Sequence, residues 1–209
     1  AEILVVDDGS TDNTAQTATL LGCRLLKMPF NIGIGGAVQA GYQYALAGDY
    51  DFAAQFDGDG QHDAQSLPGL LAAAIDNQTD LVIGSRYLEN NGYKTPITRR
   101  LGMRVFSRLV SLIVKQKISD STSGFRILSR RAIVFCAGTY PSDYPEVEIL
   151  PLLHFAGLKI MEAPAKMKAR SNGKSSITWT KAIYYMVKVV LAITITVLRE
   201  MPVRKREVV

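Results

Sequence analysis

The chain has 209 residues, 47% of them hydrophobic, with 24 basic against 19 acidic side chains and a net charge of +5. That length fits one α/β domain, or two at most, with enough apolar material for a substantial core. The modest positive excess, with no basic stripe interleaved with aromatics, argues against nucleic acid and for phosphorylated substrates or an anionic membrane. Two cysteines (Cys23, Cys136) and two histidines (His62, His154) show no zinc spacing, so free thiols in a reducing compartment are expected.

Chain order alternates strand and helix. The chain opens Ala1-Glu2-Ile3-Leu4, with no initiator Met and no signal-peptide pattern, and enters a strand at once. Strands are predicted at 2–6, 23–28, 52–56, 81–84 and 159–163, and helices at 13–21, 34–47, 65–78 and 99–115. The alternation predicts a mostly parallel sheet flanked by helices, with an antiparallel insertion at 125–129. Residues 92–98, with Pro96, read as a mobile loop. A last helix at 180–198 carries Tyr184, Tyr185, an apolar run and a basic flank of Arg199, Arg204, Lys205 and Arg206. The run from Val189 to Leu198 is too short to cross ~30 Å of hydrocarbon. An amphipathic helix lying on a membrane is the preferred reading, and a core helix covering the sheet the competing one.

Two strands end in acid. In Phe56-Asp57-Gly58-Asp59-Gly60-Gln61 the carboxylates stand at i and i+2, facing one side of an extended segment. Two carboxylates with room for water and phosphate oxygens suit Mg²⁺ or Mn²⁺ carrying a nucleotide diphosphate. An acidic surface turn is the competing reading. Ile3-Leu4-Val5-Val6 runs into Asp7-Asp8-Gly9-Ser10-Thr11-Asp12-Asn13, a buried strand delivering a polar loop where open α/β sheets bind ligands. An ordinary strand-to-helix turn also favours those residues. Asn31-Ile32-Gly33-Ile34-Gly35-Gly36-Ala37 lacks the third glycine of a dinucleotide fingerprint, because position 38 is Val38.

Taken with Gly84-Ser85-Arg86-Tyr87, Asp120-Ser121-Thr122-Ser123-Gly124-Phe125-Arg126 and Arg170-Ser171-Asn172-Gly173-Lys174-Ser175, these motifs resemble the family 2 glycosyltransferases, and within them the dolichyl- or polyprenyl-phosphate sugar synthases. The resemblance implies a GT-A fold over residues 1–178, followed by an amphipathic helix and basic tail over 179–209. Family members carry an earlier strand that contacts the nucleotide base, so a strand missing ahead of Ala1 is expected.

The implied reaction moves a sugar from a UDP- or GDP-sugar to a polyprenyl or dolichyl phosphate, with inversion. A hydroxyl acceptor in polysaccharide or glycolipid synthesis, and a nucleotide- or membrane-binding module without turnover, are the alternatives. The resemblance assigns the divalent ion (Mg²⁺ or Mn²⁺) to Asp57, Asp59 and Gln61. It gives the nucleotide sugar to Asp7, Asp8, Gly9, Asp57, Gly58, Asp59, Arg170, Lys174 and Ser175. The acceptor phosphate goes to Arg86, Arg100, Arg104, Ser107 and Arg126, with Arg126 also catalytic beside the two aspartates. Arg100, Arg104 and Arg108 form one helical stripe, read as facing away from Leu101, Val105, Leu109 and Leu112. Asp143-Tyr144-Pro145-Glu146-Val147-Glu148 departs from the family's Glu-Asp base, and an acceptor phosphate, already anionic, needs none. Location at the cytoplasmic face of a membrane, and room for a small membrane partner subunit, complete the expectations.

Overall fold

The computed structural model describes residues 1–88, 97–168, 187–196 and 198, with side chains in the long fourth helix from residue 102 onward. In order come β1 (Leu4–Asp7), α1 (Thr14–Leu20), β2 (Arg24–Lys27), α2 (Gly33–Ala47), β3 (Phe52–Gln55), a 3₁₀ turn (Ala64–Ser66) and α3 (Leu67–Asp76). After them follow β4 (Leu81–Ser85), α4 (Ile97–Val114), β5 (Arg126–Ser129), α5 (Arg130–Gly138), α6 (Pro145–Phe155) and β6 (Ile160–Pro164). Every predicted strand is present, and β5 is the antiparallel insertion.

Strands pair in two groups. β1 and β2 are parallel, and β3-β5-β4-β6 form a second sheet in which β4 and β6 are parallel while β5 runs against both neighbours. α2 packs on β1, β3 and α5, so one helix spans both groups. The β-period places the core. Leu81, Ile83 and Leu128 point to one face, into a cluster with Tyr42, Val110, Ile133 and Leu150. Val82 and Ile127 point to the other, against Leu70, Phe125 and Ala163 under α3. Each such fully buried aliphatic side chain contributes ~1.5–3 kcal/mol over leaving it in water.

Two helices lack a strong signature in the sequence. α5 starts with Arg130-Arg131 and is set by Ser129, whose side chain accepts from the Ala132 amide as an N-cap. α6 has Pro145 in its first turn and Pro151 inside it, and it is held by burial of Val147, Ile149, Leu150 and Leu153.

Residues 187–196 are helical, and Val189 and Ile193 are buried in the first cluster. Val187, Leu191, Ile195 and Leu198 are more than half exposed. One side of this segment thus covers the core, as the core-helix reading expects, and the other presents an apolar stripe. Among the described residues, no helix is long and apolar enough to cross a membrane. Tyr184, Tyr185 and the basic flank lie outside the described residues, as do 92–96 of the predicted loop.

Candidate active site

The strand ends carry the polar groups. At the end of β1, Asp7 is buried; its Oδ1 accepts from the Ser10 amide at 2.9 Å, and its Oδ2 has no hydrogen-bond partner among the described residues. Hydrogen bonding from the Ser10 side chain and backbone holds the Asp7 carboxyl below the usual carboxylate range. A buried, unpartnered acceptor carries a desolvation cost that a donor from a ligand would relieve. Asp8 is differently placed. Its carboxylate accepts from the amides of Ile32 (2.7 Å) and Gly33 (3.0 Å), capping the start of α2. Gly9 has φ +78°, and a Cβ there would lie 2.9 Å from the Asn31 amide, so only glycine lets this loop pack on the glycine-rich turn. That turn opens a helix, as expected, and Gly35 lies against the Pro141–Ser142 backbone with no room for a side chain.

Beyond β3, Asp57 and Asp59 are both partly exposed. Asp59 Oδ1 accepts from the Gln61 amide at 3.0 Å. Asp57 stands over Gly124, where a Cβ would lie 2.6 Å from its Oδ2. His62 packs against it, with Nδ1 3.2 Å from the Asp57 amide and Nε2 3.5 Å from Oδ2. Burial pushes the His62 pKa down, opposed by the charges of Asp57 and Asp59. Among the described residues, no three His, Cys, Asp or Glu side chains cluster to enclose a metal. Asp57 and Asp59, with the Gln61 side-chain carbonyl close by in sequence, offer oxygen donors. Mg²⁺ and Mn²⁺ accept such a set, completing their shell with phosphate oxygens and water. The residues fit the ion.

Arg86 and Arg126, read from sequence as phosphate ligands, are turned inward in this structure. Arg86 makes a bidentate pair with the fully buried Asp120, through Nε (2.7 Å) and Nη2 (2.5 Å), and also reaches Thr122. Arg126 is 1% exposed and donates to the carbonyls of Ser123, Ser121 and Glu146. Together the two arginines fix the 120–126 loop that backs Asp57. Glu162 completes the support, accepting from the Ser119 amide and hydroxyl and the Asp120 amide. Glu146 faces Arg126 and Asp57 from α6; burial raises its pKa, against the pull of Arg126.

Four exposed cations gather on α4 and just beyond it. Arg104 and Arg108 are exposed and, with Lys115 and Lys117, line an open groove of about 820 Å³ that also contains Met103, Leu112 and Ile118. None of the four cations has an ion-pair partner among the described residues. Ser107, also in the groove, donates to the Ser119 carbonyl at 3.0 Å. The apolar face differs from the sequence reading. Val105 and Leu112 are 45% and 78% exposed, whereas Met103, Val110 and Val114 are buried. One residue step turns a helix by about 100°, so Val105 flanks the arginine stripe instead of opposing it.

Arg170, Lys174 and Ser175 lie outside the described residues, as does the side chain of Arg100. Sequence reasoning missed His62, Gly124 and Glu162 as supports of the site. Gly124 was within a quoted motif and His62 adjoins Gln61, but only the fold shows what each touches.

The family model described as Glycosyl transferase family 2 matches residues 1–135. An undecaprenyl-phosphate mannosyltransferase of Micrococcus luteus is 29% identical over 187 residues, covering 85% of this chain and 76% of that protein. A polyprenol monophosphomannose synthase of Mycolicibacterium smegmatis is 28% identical over 197 residues, covering 90% and 74%. Among solved structures, glucosyl-3-phosphoglycerate synthase from Mycobacterium tuberculosis, in complex with Mn²⁺, UDP-glucose and phosphoglyceric acid, superposes with a TM-score of 0.66 at 18% identity, over 91% of this chain and 68% of that one. That likeness bears on the fold and agrees with the GT-A expectation. The strand-end carboxylates, the loop that backs them and the match over most of the chain lead to one assignment: this protein belongs to glycosyl transferase family 2.

Proposed function

We propose that the protein transfers a sugar from a nucleotide sugar to a polyprenyl or dolichyl phosphate at a membrane surface, with inversion at the anomeric carbon. One observation carries this reading: a single loop joins the acidic site to the basic groove. Gly124 backs the Asp57 carboxylate, and Ser119, five residues earlier, lines the groove beside Arg104 and Ser107. An acceptor with a phosphate head and a hydrocarbon tail matches a groove of unpaired cations over apolar residues. The relatives named for lipid-phosphate mannosyl transfer agree with that acceptor.

Asp57, Asp59 and Gln61 would hold Mg²⁺ or Mn²⁺, as the Mn²⁺ in the structural neighbour suggests. When bound, the ion neutralises the departing diphosphate. The Asp7 Oδ2 accepts a donor hydrogen from the nucleoside. Gly58, which faces open space, leaves room for the nucleotide, Gly9 keeps the Asp7–Asp8 loop packed on the glycine-rich turn, and Arg170, Lys174 and Ser175 are assigned to the diphosphate. Arg104 and Ser107, with Arg100 on the same stripe, receive the acceptor phosphate. Arg86 and Arg126 hold the loop between the two sites. The acceptor oxygen is already an anion, so placing it in line with the anomeric carbon serves in place of a base.

The exposed stripe of Val187, Leu191, Ile195 and Leu198, with Val105 and Leu112 on α4, is a surface for the bilayer interface. The cytoplasmic face, where nucleotide sugars are made, is the proposed location, and a small membrane partner subunit would sit on that surface.

The test mixes the protein with polyprenyl phosphate vesicles, Mn²⁺ or Mg²⁺ and labelled UDP- and GDP-sugars, then counts organic-phase label. Metal-dependent, β-configured lipid product is the expected result. Label only in soluble acceptors would replace the reading with a hydroxyl-acceptor transferase, and retained configuration would reject the direct displacement.

A further inference from the structure

The loop after β3 contains two glycines, Gly58 and Gly60, and Gly60 has φ +71°. Glycine adds backbone freedom that must be lost for Asp57 to be aimed. Something must therefore hold that residue, and the neighbouring elements show what does.

His62 is the group that faces it. Its side chain is only 4% exposed, and a buried imidazole needs partners for its nitrogens. Both nitrogens look at the same residue. Nδ1 accepts from the Asp57 amide at 3.2 Å, so the ring hydrogen is on Nε2, which lies 3.5 Å from Asp57 Oδ2. The ring itself is gripped, stacked on Phe125 at 5.0 Å and 15° and edge-on to Phe56 at 5.5 Å. Its backbone is strapped to the segment after β6. His62 bridges Met167, the Lys168 amide donates to Gln61 at 2.8 Å, and the Asp63 amide donates to Lys166 at 3.3 Å. The bare Cα of Gly124 also lies against this carboxylate, with no room for a side chain between them.

We propose that His62 is a positioning residue for Asp57: it fixes the Asp57 amide through Nδ1, steers the carboxylate through Nε2–H, and ties that aim to residues 166–168. A histidine buried only for packing has no reason to address both nitrogens to one aspartate. The inference rests on the proposed role of Asp57 as a metal ligand, and a partner in that position acts on the metal through the ligand it orients.

Two readouts test it. Amide exchange at Asp57, measured without metal, reports the clamp itself. UDP and GDP affinity, measured by calorimetry with Mn²⁺ and again with EDTA, reports its consequence. His62→Phe keeps the ring stacking and removes both nitrogens. Exchange at Asp57 should rise, and the Mn²⁺-assisted part of nucleotide binding should weaken about tenfold or more, with binding in EDTA unchanged. His62→Asn, which returns an acceptor near the Nδ1 position, should recover part of both. If the phenylalanine variant does not fold, His62→Leu carries the same test, being apolar and without either nitrogen. An unchanged Mn²⁺ advantage, or equal loss with and without metal, overturns the positioning role. Wild-type protein whose nucleotide binding ignores Mn²⁺ would overturn the metal reading first, and this inference with it.

Discussion

The buried arginines of the 86–126 region and the exposed arginines of α4 are the same side chain in opposite circumstances. Arg86 and Arg126 have donors committed to Asp120, Thr122 and backbone carbonyls, the Arg86 side chain 9% exposed and Arg126 buried. Arg104 and Arg108 are exposed on a groove with no ion-pair partner among the described residues. An arginine fork whose donors are already satisfied builds a site; one whose donors face solvent can receive a phosphate. Composition and motif alone treat the two kinds alike, and burial separates them.

The contrast is broken most directly at Arg126. Arg126→Ala strands two buried carbonyl acceptors, at ~1–3 kcal/mol each, and a third that is partly buried, and should lower stability by at least about 2 kcal/mol, read as a shift in the urea midpoint. A variant with wild-type stability and lost turnover would instead make Arg126 a direct ligand. The acidic loop should behave in the reverse way. Asp59→Asn should cut turnover by about 10²–10³, the usual effect of removing a key electrostatic group, while stability stays within about 0.5 kcal/mol. Near-normal turnover in that variant would remove Asp59 from the site.

A smaller effect is expected on α4. Replacing Arg104 and Arg108 together by alanine should raise the KM for polyprenyl phosphate about tenfold, one unit of 1.4 kcal/mol. Stability should be unchanged, and the difference should shrink as salt rises. Equal KM at low and high salt would detach the groove from the acceptor.

The smallest effect is one of pH. Burial raises the Glu146 carboxyl above the ordinary 4.5, so the folded state holds this proton more tightly than the unfolded one. The stability from that group is fully present below pH 4.5 and lost as pH rises through the raised value. Glu146→Gln should therefore raise the melting temperature at pH 7 relative to wild type, with the gain vanishing near pH 4. A constant difference across that range would place the Glu146 carboxyl in water.

Much of this molecule could be read from residue order. Short apolar runs that break off into Asp and Gly read as strands delivering polar loops, because a charged or turn-forming residue is accommodated where the chain leaves the sheet. Hence Leu4–Asp7 and Phe52–Gln55 were placed within a residue or two, with Asp7 at the end of one and Asp57 and Asp59 just past the end of the other. Helices α5 and α6 were harder to see. One begins in two arginines and the other contains Pro151, so packing against the sheet outweighs local preference.

The sequence by itself determined the alternation of strands and helices, the two acidic turns and the basic stripe, because each is a matter of period and neighbouring residue type. Tertiary structure alone decided which groups are free. Whether Asp8 meets a ligand or the amides of Ile32 and Gly33, whether Arg86 meets a phosphate or Asp120, and which residue aims Asp57 all depend on contacts between segments more than twenty residues apart or turned back on themselves. Hydrogen-bond satisfaction is a property of the folded neighbourhood, and one-dimensional order does not contain it.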